Sequence, residues 1–182
     1  MKRTLFGGFA LAIVAFAAVY IGDALNLGLP NPLLGVPVGG VLALAPGGQK
    51  LGRYIGFLFG VLIALIGTAI NAQFMPASSS GVAVTAALTI ALVTGAAALS
   101  FGRMPLWSLL LGVGGFAGAY DYVYNAAPYN FLNTSTLALG TFMVLANLGY
   151  LTGFVVDWLF PEESDEAEPE EVMESETVGS EI

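Results

Sequence analysis

The sequence predicts an all-α protein: a polytopic membrane helix bundle of six transmembrane helices, the second short or broken, with both termini cytoplasmic. Three observations carry that expectation. Hydrophobic residues make up 57% of the 182, charged residues 10%, and the mean hydropathy is +0.81, whereas in soluble domains about a quarter of residues are charged. Five segments are apolar over the roughly 20 helical residues that a hydrocarbon core about 30 Å thick requires. The five basic residues fall on one face if a sixth, irregular run also crosses.

The first segment covers residues 4–22. Its start, "MKRTLFGGFALAIVAFA", has the basic end, apolar run and Ala-x-Ala close of a secretory signal. The apolar run continues through Ala18 to Gly22 with no polar region at the would-be cleavage point, so a retained helix is expected.

The second run, "GLPNPLLGVPVGGVLALAPGGQK" from Gly28 to Lys50, is the irregular one. Pro30 and Pro32 suit a helix entry, where the missing N–H costs little. Pro37 removes an internal bond, and Gly39 with Gly40 loosens the next turn. The run should end at Pro46-Gly47-Gly48. Irregular backbone is tolerated at membrane depth only where protein or a wet cavity surrounds it, so a central position is expected. If this run crosses, Lys2, Arg3, Lys50, Arg53 and Arg103 share the cytoplasmic face. If it turned back, the last three would face away from the first two.

The remaining segments cover residues 52–75, 81–101, 105–124 and 135–160. In lipid, helices approach through small residues that let backbones touch. Gly52, Gly56 and Gly60, followed by Ala64 and Thr68, recur at every fourth position in the third segment. Gly114 pairs with Gly118 and Gly115 with Ala119 in the fifth, and Gly149 with Gly153 in the sixth. These GxxxG spacings predict a compact bundle, with contacts either within the chain or between subunits. Gly112-Val-Gly114-Gly115-Phe-Ala117 imitates the dinucleotide pattern but lacks the preceding strand and the acidic residue that pattern needs.

Residues 1–160 form the expected transmembrane domain; five bases there face three acids. Residues 161–182 hold ten acids and no base. Such a segment cannot bury enough apolar surface to offset its ordering entropy, so a disordered, acidic cytoplasmic tail is expected.

Polar side chains inside a span are costly and raise a functional hypothesis by default. Asn147, near the middle of the sixth segment, forms a partly polar stripe with Tyr150 and Phe154. It suits either a small cavity or an interhelical hydrogen bond. Asp23 with Asn26, Asn71 with Gln73, and Asp121 with Asn125 collect at outer helix ends, the last pair among Tyr120, Tyr122, Tyr124 and Tyr129. Asp23 and Asp121 could draw a cation into an aromatic vestibule; equally, such tyrosines are interface anchors. Asn133-Thr-Ser135 is a glycosylation pattern set against the start of a helix.

With no Cys and no His, thiolate chemistry, disulfides and the usual metal sites are not expected. No nucleophile and base pair stands out, so neither an enzyme nor a cofactor is expected. The expected partners are the lipid bilayer and either a second copy of the chain or another membrane protein, with no nucleic acid.

In "LALAPGGQKLGR" (Leu42 to Arg53), "LLLGVGGFAGA" (Leu109 to Ala119) and "TLALGTFMVLANLGYLTGFVVDWL" (Thr136 to Leu159), the chain resembles the YcdZ-like family of small bacterial inner-membrane proteins of unknown function. The likeness lies in a Pro-Gly-Gly-x-Lys turn and the later glycine spacing, over about residues 25–159. It implies a small polytopic bundle and no known activity.

The functional expectation is therefore an accessory or structural component of a membrane complex, with glycine faces that dock partners. The alternative is a small oligomeric transporter or channel for a small solute or cation. Residues 4–75 and 81–160 would then be halves of opposite orientation, the pattern of inverted-repeat transporters. No residue-by-residue match links those halves.

Overall fold

A computed structural model of the chain describes residues 2–24, 32–46, 49–74, 79–126 and 131–160. The acidic segment 161–182 lies outside the described residues, as do Asn26, Gly47, Gly48 and Tyr129. The same holds for the side chains of Lys2, Arg3, Tyr122, Tyr124 and Asn125. Among the described residues every regular element is helical: α1 (Lys2–Ala24), α2 (Pro32–Leu44), α3 (Lys50–Phe74), α4 (Ser79–Leu99), α5 (Leu106–Ala126) and α6 (Phe131–Leu159).

Four of these, α1, α3, α4 and α6, are long and apolar enough to cross a membrane. At 13 residues and 1.5 Å per residue, α2 spans only about 20 Å. It starts on Pro32, keeps Pro37 inside, and turns that proline and Val41 outward. Gly39 and Gly40 do not loosen it; the helix runs on to Leu44, because both glycines are buried contact points. The α4–α5 turn places Phe101 at φ 51° and Gly102 at φ 80°, a left-handed pair that only a glycine enters without strain.

The helices alternate in direction. Along α1, Phe6 stacks on Phe160 at 4.8 Å, Gly7 meets Leu44 and Val156, Leu11 meets Gly40, and Ala18 clusters with Val36 and Leu145. Both α2 and α6 therefore run against α1. Gly35 and Gly39 meet Leu145 and Ala146, while Ala43 meets Gly153, so α2 and α6 are parallel. Gly52, Gly56 and Gly60 meet Arg103, Ser108 and Leu109 in ascending order, so α3 and α5 are parallel. Gly67 against Thr89, with Asn71 bonded to Thr85, sets α4 against α3. The chain between α1 and α3 thus crosses the bundle rather than turning back. Lys50, Arg53 and Arg103 lie at the end where α1 begins and α6 finishes.

The neighbour relations have a symmetry that no sequence comparison shows. Helix α2 touches α6 and α3 touches α5; α1 touches α6 and α4 touches α3. Likewise α1 touches α2 and α4 touches α5, and α2 touches α3 as α5 touches α6. Exchanging α1–α2–α3 with α4–α5–α6 leaves every one of these contacts in place. The described residues of α1 and α4, which do not meet, are the peripheral pair.

The correspondence extends to single residues. A Cβ at Gly39 would overlap the Ala146 carbonyl oxygen, and one at Gly149 that of Val36. At the crossing of α3 and α5, a Cβ at Gly112 would overlap the Phe57 carbonyl oxygen, and one at Gly60 that of Leu109. Val36 and Gly39 correspond to Leu109 and Gly112, and Ala146 and Gly149 to Phe57 and Gly60, each with the same spacing of three. Around these crossings the core holds Val38, Leu42, Val61, Ala64, Phe116, Ala119 and Phe142.

Candidate functional site

Polar chemistry inside the bundle concentrates where α3 crosses α6. An asparagine within an apolar helix must place both its carbonyl and its amide, since unpaired polar groups are costly there. Asn147 does so fully: its Oδ1 accepts from the Tyr54 hydroxyl at 2.6 Å, and its Nδ2 donates to the Met143 carbonyl at 2.7 Å. The Tyr150 ring lies 4.9 Å from that of Tyr54 and tilted to it, and Phe57 meets Phe142 at 5.8 Å. The expected stripe of Asn147, Tyr150 and Phe154 is thus one side of a seam, with Tyr54 and Phe57 opposite.

Toward the basic end the seam becomes charged. Lys50 forms an ion pair with Asp157 and sits 5.5 Å from the centre of the Phe154 ring. One turn further, Arg53 is only 3% exposed. Its Nη1 donates to the Ala45 carbonyl just past the end of α2, while its Nε is buried with no hydrogen-bond partner. Among the described residues no carboxylate pairs with Arg53.

Asp23 and Asp121 are not part of this seam. Both are exposed, on the parts of α1 and α5 directed away from Lys50. Asn71 lies on that side too, bonded to Thr85, and with Thr68 and Thr89 it lines a cleft of about 250 Å³ between α3, α4 and α5. The cleft is otherwise apolar. Its threonine hydroxyls are engaged by carbonyls of their own helices. Helix α6 begins four residues before the expected 135, which puts the Asn133-Thr-Ser135 pattern inside its first turns with Thr134 and Ser135 buried.

The expected packing glycines divide. Gly52, Gly56 and Gly60 seat α5, Gly149 and Gly153 seat α2, and Gly118 rests on Leu34. Gly114 does not pack: it is exposed, and a Cβ there would meet nothing within 4 Å. Neither turn of α5 nor spacing alone distinguishes it from Gly112 and Gly115, which carry the contacts to α3 and to Phe142.

Sequence reasoning missed Arg53 and Tyr54. Arg53 follows a Pro-Gly-Gly turn closely and reads as an orientation signal in a loop; only the inward side of the first α3 turn reveals its burial. No cluster of three metal-ligating side chains occurs among the described residues. Compared with protein-family models, with curated proteins and with solved structures, the chain matches none.

Proposed function

We propose that this is a six-span membrane protein with both termini cytoplasmic, and that it acts, as a small oligomer, as a transporter or channel for a small solute. The observation that carries the reading is the exchange of the two halves: opposed three-helix units with the same pattern of helix neighbours, joined through a polar seam. Two such units around a fixed site are the ground plan of inverted-repeat transporters, which also use an interrupted helix near that site. Here α2 is the short helix, 13 unbroken residues with Pro37 inside, and its end meets α3 beside the seam.

The expectation of an accessory protein rested on glycine faces free to dock partners and on an acidic tail, residues 161–182, that recruits or repels soluble ones. Gly52, Gly56, Gly60, Gly149 and Gly153 are spent within the chain, which moves the balance toward transport. The accessory reading keeps one observation in its favour: Gly114 and Gly140 are exposed and leave smooth, unfilled helix surface.

Reconstitution into liposomes tests the main reading. The wild-type protein should pass at least one of a panel of small organic solutes and monovalent cations, and Asn147→Leu should abolish that flux while the protein still inserts. A tight bilayer with wild type, or undiminished flux with the variant, would count against it. Orientation is tested separately by Gln49→Cys in intact cells, which an impermeant thiol reagent should leave unlabelled.

A further inference from the structure

The buried guanidinium of Arg53 has too few partners. Five N–H donors converge on this group, yet one carbonyl accepts from it, Nε–H faces no acceptor, and the nearest acid on this seam, Asp157, is taken by Lys50. Removing a charge from water without a counter-charge is expensive, and ionisable side chains in a span are kept for a purpose.

The other half of the molecule shows that the fold does not require this charge. By the correspondence that relates Phe57 to Ala146, Arg53 corresponds to Phe142. That residue is 2% exposed, packed against Gly115 of α5 as Arg53 is set against the end of α2. An apolar ring fills the same position with no polar debt. A structural wedge explains Phe142 and leaves the guanidinium unexplained.

We infer that Arg53 is the binding residue for an oxyanion, a carboxylate or phosphate group, held at the first turn of α3; as an assignment of substrate class, this rests on the transport reading. That place suits an anion twice over. The start of α3 brings the positive end of a 25-residue helix dipole, and the fork of a guanidinium matches two oxygens of one anion. Helix α2 is keyed into α6 and α3 into α5, whereas α2 and α3 touch each other sparingly.

The test uses the full chain in nanodiscs of neutral phosphatidylcholine, with thermal unfolding followed by tryptophan fluorescence. Chloride, phosphate and acetate are compared at matched ionic strength, and phosphatidylglycerol discs supply a lipid-borne phosphate. At ten times Kd, phosphate or acetate should raise Tm by about 3–5 °C. Arg53→Met should lose that shift and be no less stable than wild type in chloride. Arg53→Gln, which keeps a donor for the Ala45 carbonyl without the charge, should lose it as well and serves if the methionine variant does not fold. A rise confined to phosphatidylglycerol discs and lost in the same variants assigns the anion to a headgroup.

No shift in wild type under any condition overturns the inference. So does a shift retained by either variant. Flux is not read here, so the two readings fail separately: an Arg53-dependent shift without flux of any solute sinks transport alone, and flux without the shift sinks the anion site alone.

Discussion

The two keyed crossings, α2 on α6 and α3 on α5, solve one problem with different residues. Each brings two parallel helices into backbone contact through a glycine on either side, Gly39 with Gly149 and Gly112 with Gly60. One turn away the solutions part. In the first crossing Gly35 makes room for Leu145; in the second, Gly56 makes room for Ser108. The equivalent of Gly35 is Ser108 and that of Leu145 is Gly56, so the smallest residue has changed helices. Close approach requires that the two side chains facing each other be small in sum, and it does not matter which helix supplies the glycine.

The largest predicted effect tests whether the crossings are equivalent. Gly39→Leu and Gly112→Leu each drive a side chain into the backbone of the facing helix, where no rotamer change gives relief. Overpacking of this kind costs about 3 kcal/mol or more, a large part of an ordinary folding free energy of about 5–15 kcal/mol. Both purified variants should unfold far earlier than wild type in a denaturant titration, by amounts similar to each other. A severe loss at one site with a mild one at the other would break the correspondence between the halves.

That relation also explains what could be read from the chain. The spans were legible because apolar length alone defines them: residues 4–22 against Lys2–Ala24, and 52–75 against Lys50–Phe74. The proline-containing run was legible as a segment that does not turn back, since Lys50, Arg53 and Arg103 lie at the end where α1 begins. The internal symmetry was not, since exchanging Gly56 with Leu145 and Phe142 with Arg53 preserves the packing and erases the alignment. Asn147 was legible as an interior polar contact because an amide in an apolar helix stands out. Tyr54 was not, because a tyrosine near a helix start reads equally well as an interface anchor.

A smaller effect probes the seam, where the halves differ rather than agree. The exchange carries the Tyr54 and Asn147 pair onto Met143 and Leu58, which form no hydrogen bond. Tyr54→Phe should therefore cost about 1 kcal/mol, in the range of interhelical hydrogen bonds in membranes. A double-mutant cycle with Asn147→Leu should recover most of it as coupling. Met143→Leu, at the equivalent place, should be close to neutral. Additive effects of Tyr54→Phe and Asn147→Leu would mean that the bond seen at 2.6 Å does not hold the seam.

The ion pair at the end of the seam should contribute less. Lys50 is 47% exposed on its side chain and Asp157 13%, and solvent and salt weaken such a pair to within about 1 kcal/mol. Lys50→Gln and Asp157→Asn should each lower stability slightly, with the difference from wild type shrinking as salt is raised. Loss of insertion or of folding in either variant would show that this pair fastens the halves.

The smallest effect belongs to Gly114, and it separates the two functional readings. Its α5 neighbours Gly112 and Gly115 are buried against α3 and Phe142, but Gly114 faces outward with open space beyond it. Gly114→Leu should change stability by no more than about 0.5 kcal/mol, as for exposed substitutions generally, with the lost flexibility of glycine offsetting part of any cost. What it fills is surface that a partner helix could have used. If the isolated protein is unaffected but a stoichiometric partner no longer co-purifies in mild detergent, the accessory reading gains the face it lacked. If oligomer size, partner recovery and flux are all unchanged, Gly114 marks lipid-facing surface, and the close approach that glycines provide in this chain stays within its own two crossings.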